Sequence, residues 1–142
     1  MARIKLSVPD TFIFSVDIPV RSTDINRGGH VGWNSMFGIL DDARARFWKY
    51  IDFAETDNPG FSNIMADAAI NYKRQTFFGQ TLRVEIAAQD LTEKSFDLVY
   101  RITDVETGAE VARAKTGMAF FNYEKQKIIS IPEHLRTKLL GE

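Results

Sequence analysis

The chain has 142 residues, a length suited to one domain around one sizeable core, and it carries 18 basic against 19 acidic residues for a formal net charge of -1. That balance gives no electrostatic reason to expect nucleic acid or an anionic membrane surface as a partner. The lack of cysteine excludes disulfides, thiolate nucleophiles and cysteine metal sites.

In chain order, the opening MARIKLSVPD lacks the apolar run of a signal peptide. No later stretch approaches the ~18 apolar residues of a membrane span, so a cytoplasmic protein is expected. Phe12, Phe14, Val16 and Ile18 then alternate with Ile13, Ser15 and Asp17, which predicts a strand with one strongly apolar face, and Pro19 limits pairing near its end. The stretch from Arg21 to Ile51 begins as polar loop, passes Gly28, Gly29 and Gly32, and becomes a long amphipathic helix. Met36, Leu40, Ala43, Phe47 and Ile51 form one stripe at helical spacing and should be buried. Asn34 or Ser35 is the expected N-cap. Asp41 and Asp42 lie toward the positive end of the helix dipole, and Arg44, Arg46 and Lys49 toward the negative end. A glycine-rich segment feeding a helix N-terminus presents free backbone N–H groups, which can hold a phosphate or polarise a carbonyl oxygen.

DFAETDNPGFSN has the composition of a loop that could carry a flap over a site. From Ile64 the period changes to two. Ile64, Ala66, Ala68, Ile70 and Tyr72 share one face, Leu82, Val84, Ile86 and Ala88 another, and Phe96, Leu98, Tyr100 and Ile102 a third. Asp104 to Gly108 reads as a tight turn before a long strand, Ala109 to Asn122, whose Ala112, Ala114 and Thr116 would let a helix approach closely. A short strand at Lys127 to Ile131 and a helix from Pro132, with Leu135, Leu139 and Leu140 apolar, complete the chain. The class is α+β, a single domain over 1–142 with one long helix against a five- to six-stranded antiparallel sheet. One helix covers one sheet face, which leaves Met65, Ala69, Val99, Val111 and Phe121 to be covered, and self-association is the cheapest cover.

The order strand, glycine-bearing loop, long helix and antiparallel strands resembles the hotdog fold, and the sequence resembles the 4-hydroxybenzoyl-CoA thioesterase-like branch of that superfamily from about Phe14 to about Leu140. The resemblance is carried by VRSTDINRGGHV running into GWNSMFGILDDARARF, where many members read D-x-D, G-H-V-N-N and E-E-A-R, and by INYKRQTFFGQTLRVE and ARAKTGMAFFNYEKQKIISIPEHLR. It implies hydrolysis of acyl-CoA or acyl-carrier-protein thioesters without metal or cofactor, coenzyme A being part of the substrate. It also implies homodimers or homotetramers with sites between subunits. The thioester carbonyl would rest on a backbone N–H at the helix start, at Gly32 or Trp33, while a carboxylate attacks or activates water. On this chain the second acid of the D-x-D, the usual catalytic one, falls on Asn26 and the first on Asp24. A subgroup with TDIN before G-G-H usually continues G-N-D, and there the last acid falls on Asn34.

Asp24 is therefore the first candidate base, set against a loop aspartate that hydrogen-bonds backbone N–H groups. Asp67 alternates with an apolar face; buried without a partner it would have a raised pKa, and the other reading is a structural acid paired with an arginine. His30 resembles the family's G-H-V histidine, which positions loop atoms, and with only His134 elsewhere no metal site is expected. Asn26 and Asn34 could orient water or the carbonyl, or serve as turn residue and cap. Asp41 and Asp42 read first as charge complementarity with the helix dipole. Lys73, Arg74, Arg113 and Lys115 are candidates for the coenzyme's phosphates, against solvated sheet charges. Phe37, Phe47 and Trp48 could line an acyl tunnel or simply form core. Two functions stand: an acyl-thioester hydrolase, and a hotdog protein that binds acyl thioesters without turning them over because amides replace the acids. Dehydration of hydroxyacyl thioesters is a third, less favoured by these motifs.

Overall fold

The computed structural model describes residues 1–53 and 61–142. The stretch expected to form a flap falls, over 54–60, outside the described residues. The elements are β1 (Phe14–Pro19), a 3-10 turn (Ser22–Asp24), α1 (Trp33–Tyr50), β2 (Phe61–Tyr72), β3 (Thr81–Gln89), β4 (Ser95–Asp104), β5 (Glu110–Asn122), β6 (Lys127–Ile129) and α2 (Glu133–Leu139). Six strands form one antiparallel sheet in the order β1-β3-β4-β5-β2, with β6 paired to β5.

The expected helix stripe is buried: Met36, Leu40, Ala43, Phe47 and Ile51 all pack into the core. Register places Leu98 beside Thr116, Tyr100 beside Ala114 and Ile102 beside Ala112, so the small residues of β5 share the buried face with these large ones, whereas the close backbone approach of α1 is to β1 and β3 rather than to β5 as expected. Phe47 and Trp48 are core residues, Trp48 meeting Phe53, Phe96 and Phe120 edge to face, and only Phe37 is half-exposed. In α2, Leu135 and Leu139 are buried, whereas Leu140 ends the helix and faces out. The result is the hotdog arrangement, a long helix laid against one face of an antiparallel sheet.

β2 departs from its local sequence pattern both in its partner and in its alternation. It does not meander into β3 but pairs with β5 at the far edge of the sheet, so residues 73–80 cross back past the start of α1. A bulge between Met65 and Asp67 also switches the alternation, which places Met65 opposite the core residue Met118 and separates it from the outward Ala69 and Asn71. The other sheet face is less open than its composition implies. Val99 and Val111 are buried. The N-terminal segment lies over this face: the Asn71 side chain accepts the Leu6 N–H at 2.9 Å and donates to the Ile4 carbonyl at 2.6 Å, Arg113 donates to the Leu6 carbonyl, and Arg101 stacks over the Phe12 ring at 4.8 Å. The segment thus spans from β2 over β5 to β4 before β1 begins.

Candidate active site

The loop before α1 is a miniature hairpin. Ile25 and Val31 form an isolated antiparallel bridge, the Asn26 N–H donates to the His30 carbonyl at 2.9 Å, and the Gly29 N–H donates back to the Asn26 carbonyl at 3.1 Å. Gly29 has φ +82, a conformation that side chains disfavour. The Asn26 side-chain oxygen accepts the Gly28 N–H at 2.9 Å and tightens the turn. Two neighbours lock the hairpin in place: the Val31 N–H donates to the Thr76 carbonyl of the crossover loop at 2.8 Å, and the Gly32 N–H to the Asp24 carbonyl at 3.2 Å.

Gly32 is the N-cap of α1, in place of the expected Asn34 or Ser35, and it brings no side chain to the cap. The first-turn N–H groups of Trp33, Asn34 and Ser35 therefore have no intrahelical acceptor and no capping oxygen. Asn34 curls back over Gly32; a Cβ on that glycine would lie 2.8 Å from Asn34 Oδ1 and 3.4 Å from Asn26 Cβ. A cavity of about 370 Å³ opens at this helix start, between the hairpin and the crossover loop. Asn26, His30, Val31, Trp33 and Met36 line one side, and Tyr72, Lys73, Arg74, Gln75 and Thr76 the other. The Tyr72 hydroxyl donates to the Trp33 carbonyl at 2.8 Å, and burial raises its pKa, so it stays a donor at neutral pH. The contact of His30 Nδ1 with the Val31 carbonyl, 3.3 Å, requires a proton on Nδ1, because a carbonyl only accepts; in the neutral ring Nε2 then keeps its lone pair.

Residues 20–139 match the family model of the thioesterase-like superfamily. The chain belongs to that superfamily. Its fold is similar to that of a 1,4-dihydroxy-2-naphthoyl-CoA thioesterase from Synechocystis (19% identity, 89% of this chain and 94% of that one, TM-score 0.82). It is similar also to a gentisyl-coenzyme A thioesterase (18%, 89% and 99%, 0.80) and to the probable thioesterase YbaW from Escherichia coli (24%, 89% and 96%, 0.75). No curated protein matches the chain in sequence.

In this member of the thioesterase-like superfamily no carboxylate lines the described cavity. Asp24 is 4% exposed; its carboxylate accepts the Arg21 N–H at 2.8 Å and the Arg21 guanidinium at 3.1 Å, and it lies outside the cavity lining. Asp67 departs from the buried acid with a raised pKa. Its side chain is 64% exposed, and the Lys115 ammonium at 2.7 Å, aided by the Gly117 N–H at 3.1 Å, holds its carboxyl below the usual range. The bulge beside it turns it outward, so the partner reading holds with lysine in the place of arginine. Asp41 and Asp42 bond Arg44 and Arg46 along the helix. Among the described residues no group of three or more His, Cys, Asp or Glu could hold a metal ion.

The four candidate phosphate cations separate into two pairs. Lys73 and Arg74 line the cavity. Arg113 and Lys115 face the other side of the sheet, where Arg113 pairs with Glu110 and Lys115 with Asp67 and Asp97, and their pKa values are raised by these partners. Sequence reasoning missed Gln75 and Thr76 as lining residues. Their place depends on the crossover of β2, and no local periodicity encodes that.

Proposed function

We propose that this chain hydrolyses acyl thioesters of coenzyme A or carrier protein at the start of α1, as a cytoplasmic homo-oligomer of the 4-hydroxybenzoyl-CoA thioesterase-like branch, with no cofactor of its own. The observation that carries the reading is the juxtaposition of an uncapped helix N-terminus with the His30 imidazole, its Nδ1 on the Val31 carbonyl, in one cavity. The thioester carbonyl oxygen takes the Trp33 N–H, with the Asn34 N–H beside it, where the helix dipole stabilises the developing oxyanion. His30 Nε2 removes a proton from water as the new C–O bond forms. As the C–S bond breaks, that proton passes to the thiolate, which leaves as free thiol with the carboxylic acid as the other product. The Asn26 amide orients the water. Asp24 acts as a positioning residue, since its carbonyl holds Gly32 and its carboxylate holds Arg21.

The second reading, a binder without turnover, is favoured by the absence of a carboxylate from the described cavity lining. Thiol release from short, long and aromatic acyl-CoA substrates separates the two. Hydrolysis is expected, and His30→Ala is expected to lower kcat roughly 10²- to 10⁴-fold, while Asp24→Asn retains most of it. An inert parent protein with saturable acyl-CoA binding, in which Asn26→Asp creates turnover, establishes the binder instead. A collapse in Asp24→Asn with folding intact would return the base to Asp24.

A further inference from the structure

The N-terminal segment does more than cover the sheet. Asn71 grips it as a neighbouring strand would, its carboxamide oxygen on the Leu6 N–H and its nitrogen on the Ile4 carbonyl. Only one orientation of that amide satisfies both bonds, so the segment's register is fixed. Arg3 and Lys5 are thereby carried to a cleft of about 250 Å³ whose opposite wall is Tyr72 and Lys73, the same two residues that line the cavity at the helix start. The two hollows share a wall, and the basic residues of one continue into Arg74 of the other. Among the described residues no carboxylate pairs with Arg3, Lys5 or Arg74, and Lys73 shares the single acid Glu110 with Arg113. On a chain whose overall charge is -1, this is a concentrated positive rim beside the reaction cavity.

We infer that Arg3, Lys5 and Arg74 bind the phosphates at the nucleotide end of coenzyme A, with the Asn71-anchored N-terminal segment as part of the substrate site. The inference rests on the thioester reading above. In a coenzyme A thioester the pantetheine arm separates the reacting carbonyl from the pyrophosphate and the 3′-phosphate, so these anions must be met outside the reaction cavity, along a continuous surface. Arg113 and Lys115 are less suited, because each is already held by a carboxylate, Arg113 by Glu110 and Lys115 by Asp67 and Asp97. Guanidinium and ammonium groups without partners suit a phosphate dianion, and their exposure makes the attraction dependent on salt.

Adenosine 3′,5′-bisphosphate, the nucleotide end alone, is the probe. Calorimetric titration at low salt is expected to show saturable binding to the parent chain, weakened roughly tenfold or more in the Arg3→Ala/Lys5→Ala double variant. Asn71→Ala, which removes the anchor without touching charge, is expected to weaken it as well. In turnover, the ratio of kcat/KM for acyl-CoA over the matching acyl-pantetheine should fall by a similar factor in both variants. No binding to the parent chain, or equal binding to parent and double variant, overturns the inference. The titration needs no turnover, so it decides this site even if the chain proves not to hydrolyse thioesters. Conversely, hydrolysis that persists without nucleotide binding leaves the catalytic reading intact and removes only this one.

Discussion

Tyr100 is buried without residual exposure, yet its hydroxyl is not wasted: it shares a 2.8 Å hydrogen bond with Thr116, itself buried, and accepts from Arg44 of α1 at 3.5 Å. Burial raises the pKa of this phenol and keeps it neutral as a bridge between helix and sheet. Tyr100→Phe leaves the Thr116 hydroxyl without its partner in the core and should cost about 1–3 kcal/mol in urea unfolding. Adding Thr116→Val to that variant removes the orphaned group and should recover part of the loss, a coupling that a double-mutant cycle reads directly. Trp48 makes the opposite case. Its indole N–H is buried with no hydrogen-bond partner among the described residues, so Trp48→Phe deletes an unsatisfied donor along with some packing and should cost less than the ~3–5 kcal/mol typical of a large aromatic truncation.

At the scale of elements, the turn between β2 and β3 and the start of β5 are tied together through Glu110, which receives both Lys73 and Arg113. The Arg113 guanidinium, chiefly, holds the Glu110 carboxyl below the ordinary glutamate value near 4.5. A depressed folded-state pKa contributes stability that is present in full above the ordinary value and is lost as pH falls through the depressed one. Thermal stability should therefore fall as pH drops below about 4.5, and Glu110→Gln should make that part of the profile shallower. How much of such an arrangement the sequence shows depends on what period encodes. Alternation in Leu82 to Ile86 and Phe96 to Ile102 reveals which side chains face the helix, and the 3.6-residue stripe of α1 reveals its buried side. Alternation carries no information about which strand lies alongside, so the pairing of β2 with β5 is not legible, and the bulge at Met65 breaks the very pattern used to assign faces. Likewise the capping rule favours Asn34 or Ser35, because side-chain oxygens stabilise isolated helix starts. Here Asp24 and Thr76 position the preceding loop through backbone bonds, which leaves Gly32 as the cap and the first-turn N–H groups open to a ligand.

For the whole molecule, the strand order leaves β2 at one edge of the sheet, twelve residues long, with Met65, Ala66, Asp67 and Ala68 exposed along it. Long edge strands offer unpaired N–H and C=O groups to any other strand, and soluble proteins commonly cover or blunt them. Trp33, 71% exposed at the first position of α1, lies beside the same edge, tied to it by the Tyr72 hydroxyl bond. A second copy docked edge to edge would satisfy the backbone of β2, bury Met65 and roof the cavity over Trp33, which links assembly to activity through one surface. The parent chain is accordingly expected to be dimeric or larger by light scattering at micromolar concentration. Met65→Lys, a charge placed where the bulge already bends the edge, should shift it toward monomer and lower thiol release in parallel, with far-UV circular dichroism unchanged. A parent chain that scatters as a monomer, or a monomeric variant with full turnover, would mean that each subunit carries a complete site and that the open edge of β2 has no part in catalysis.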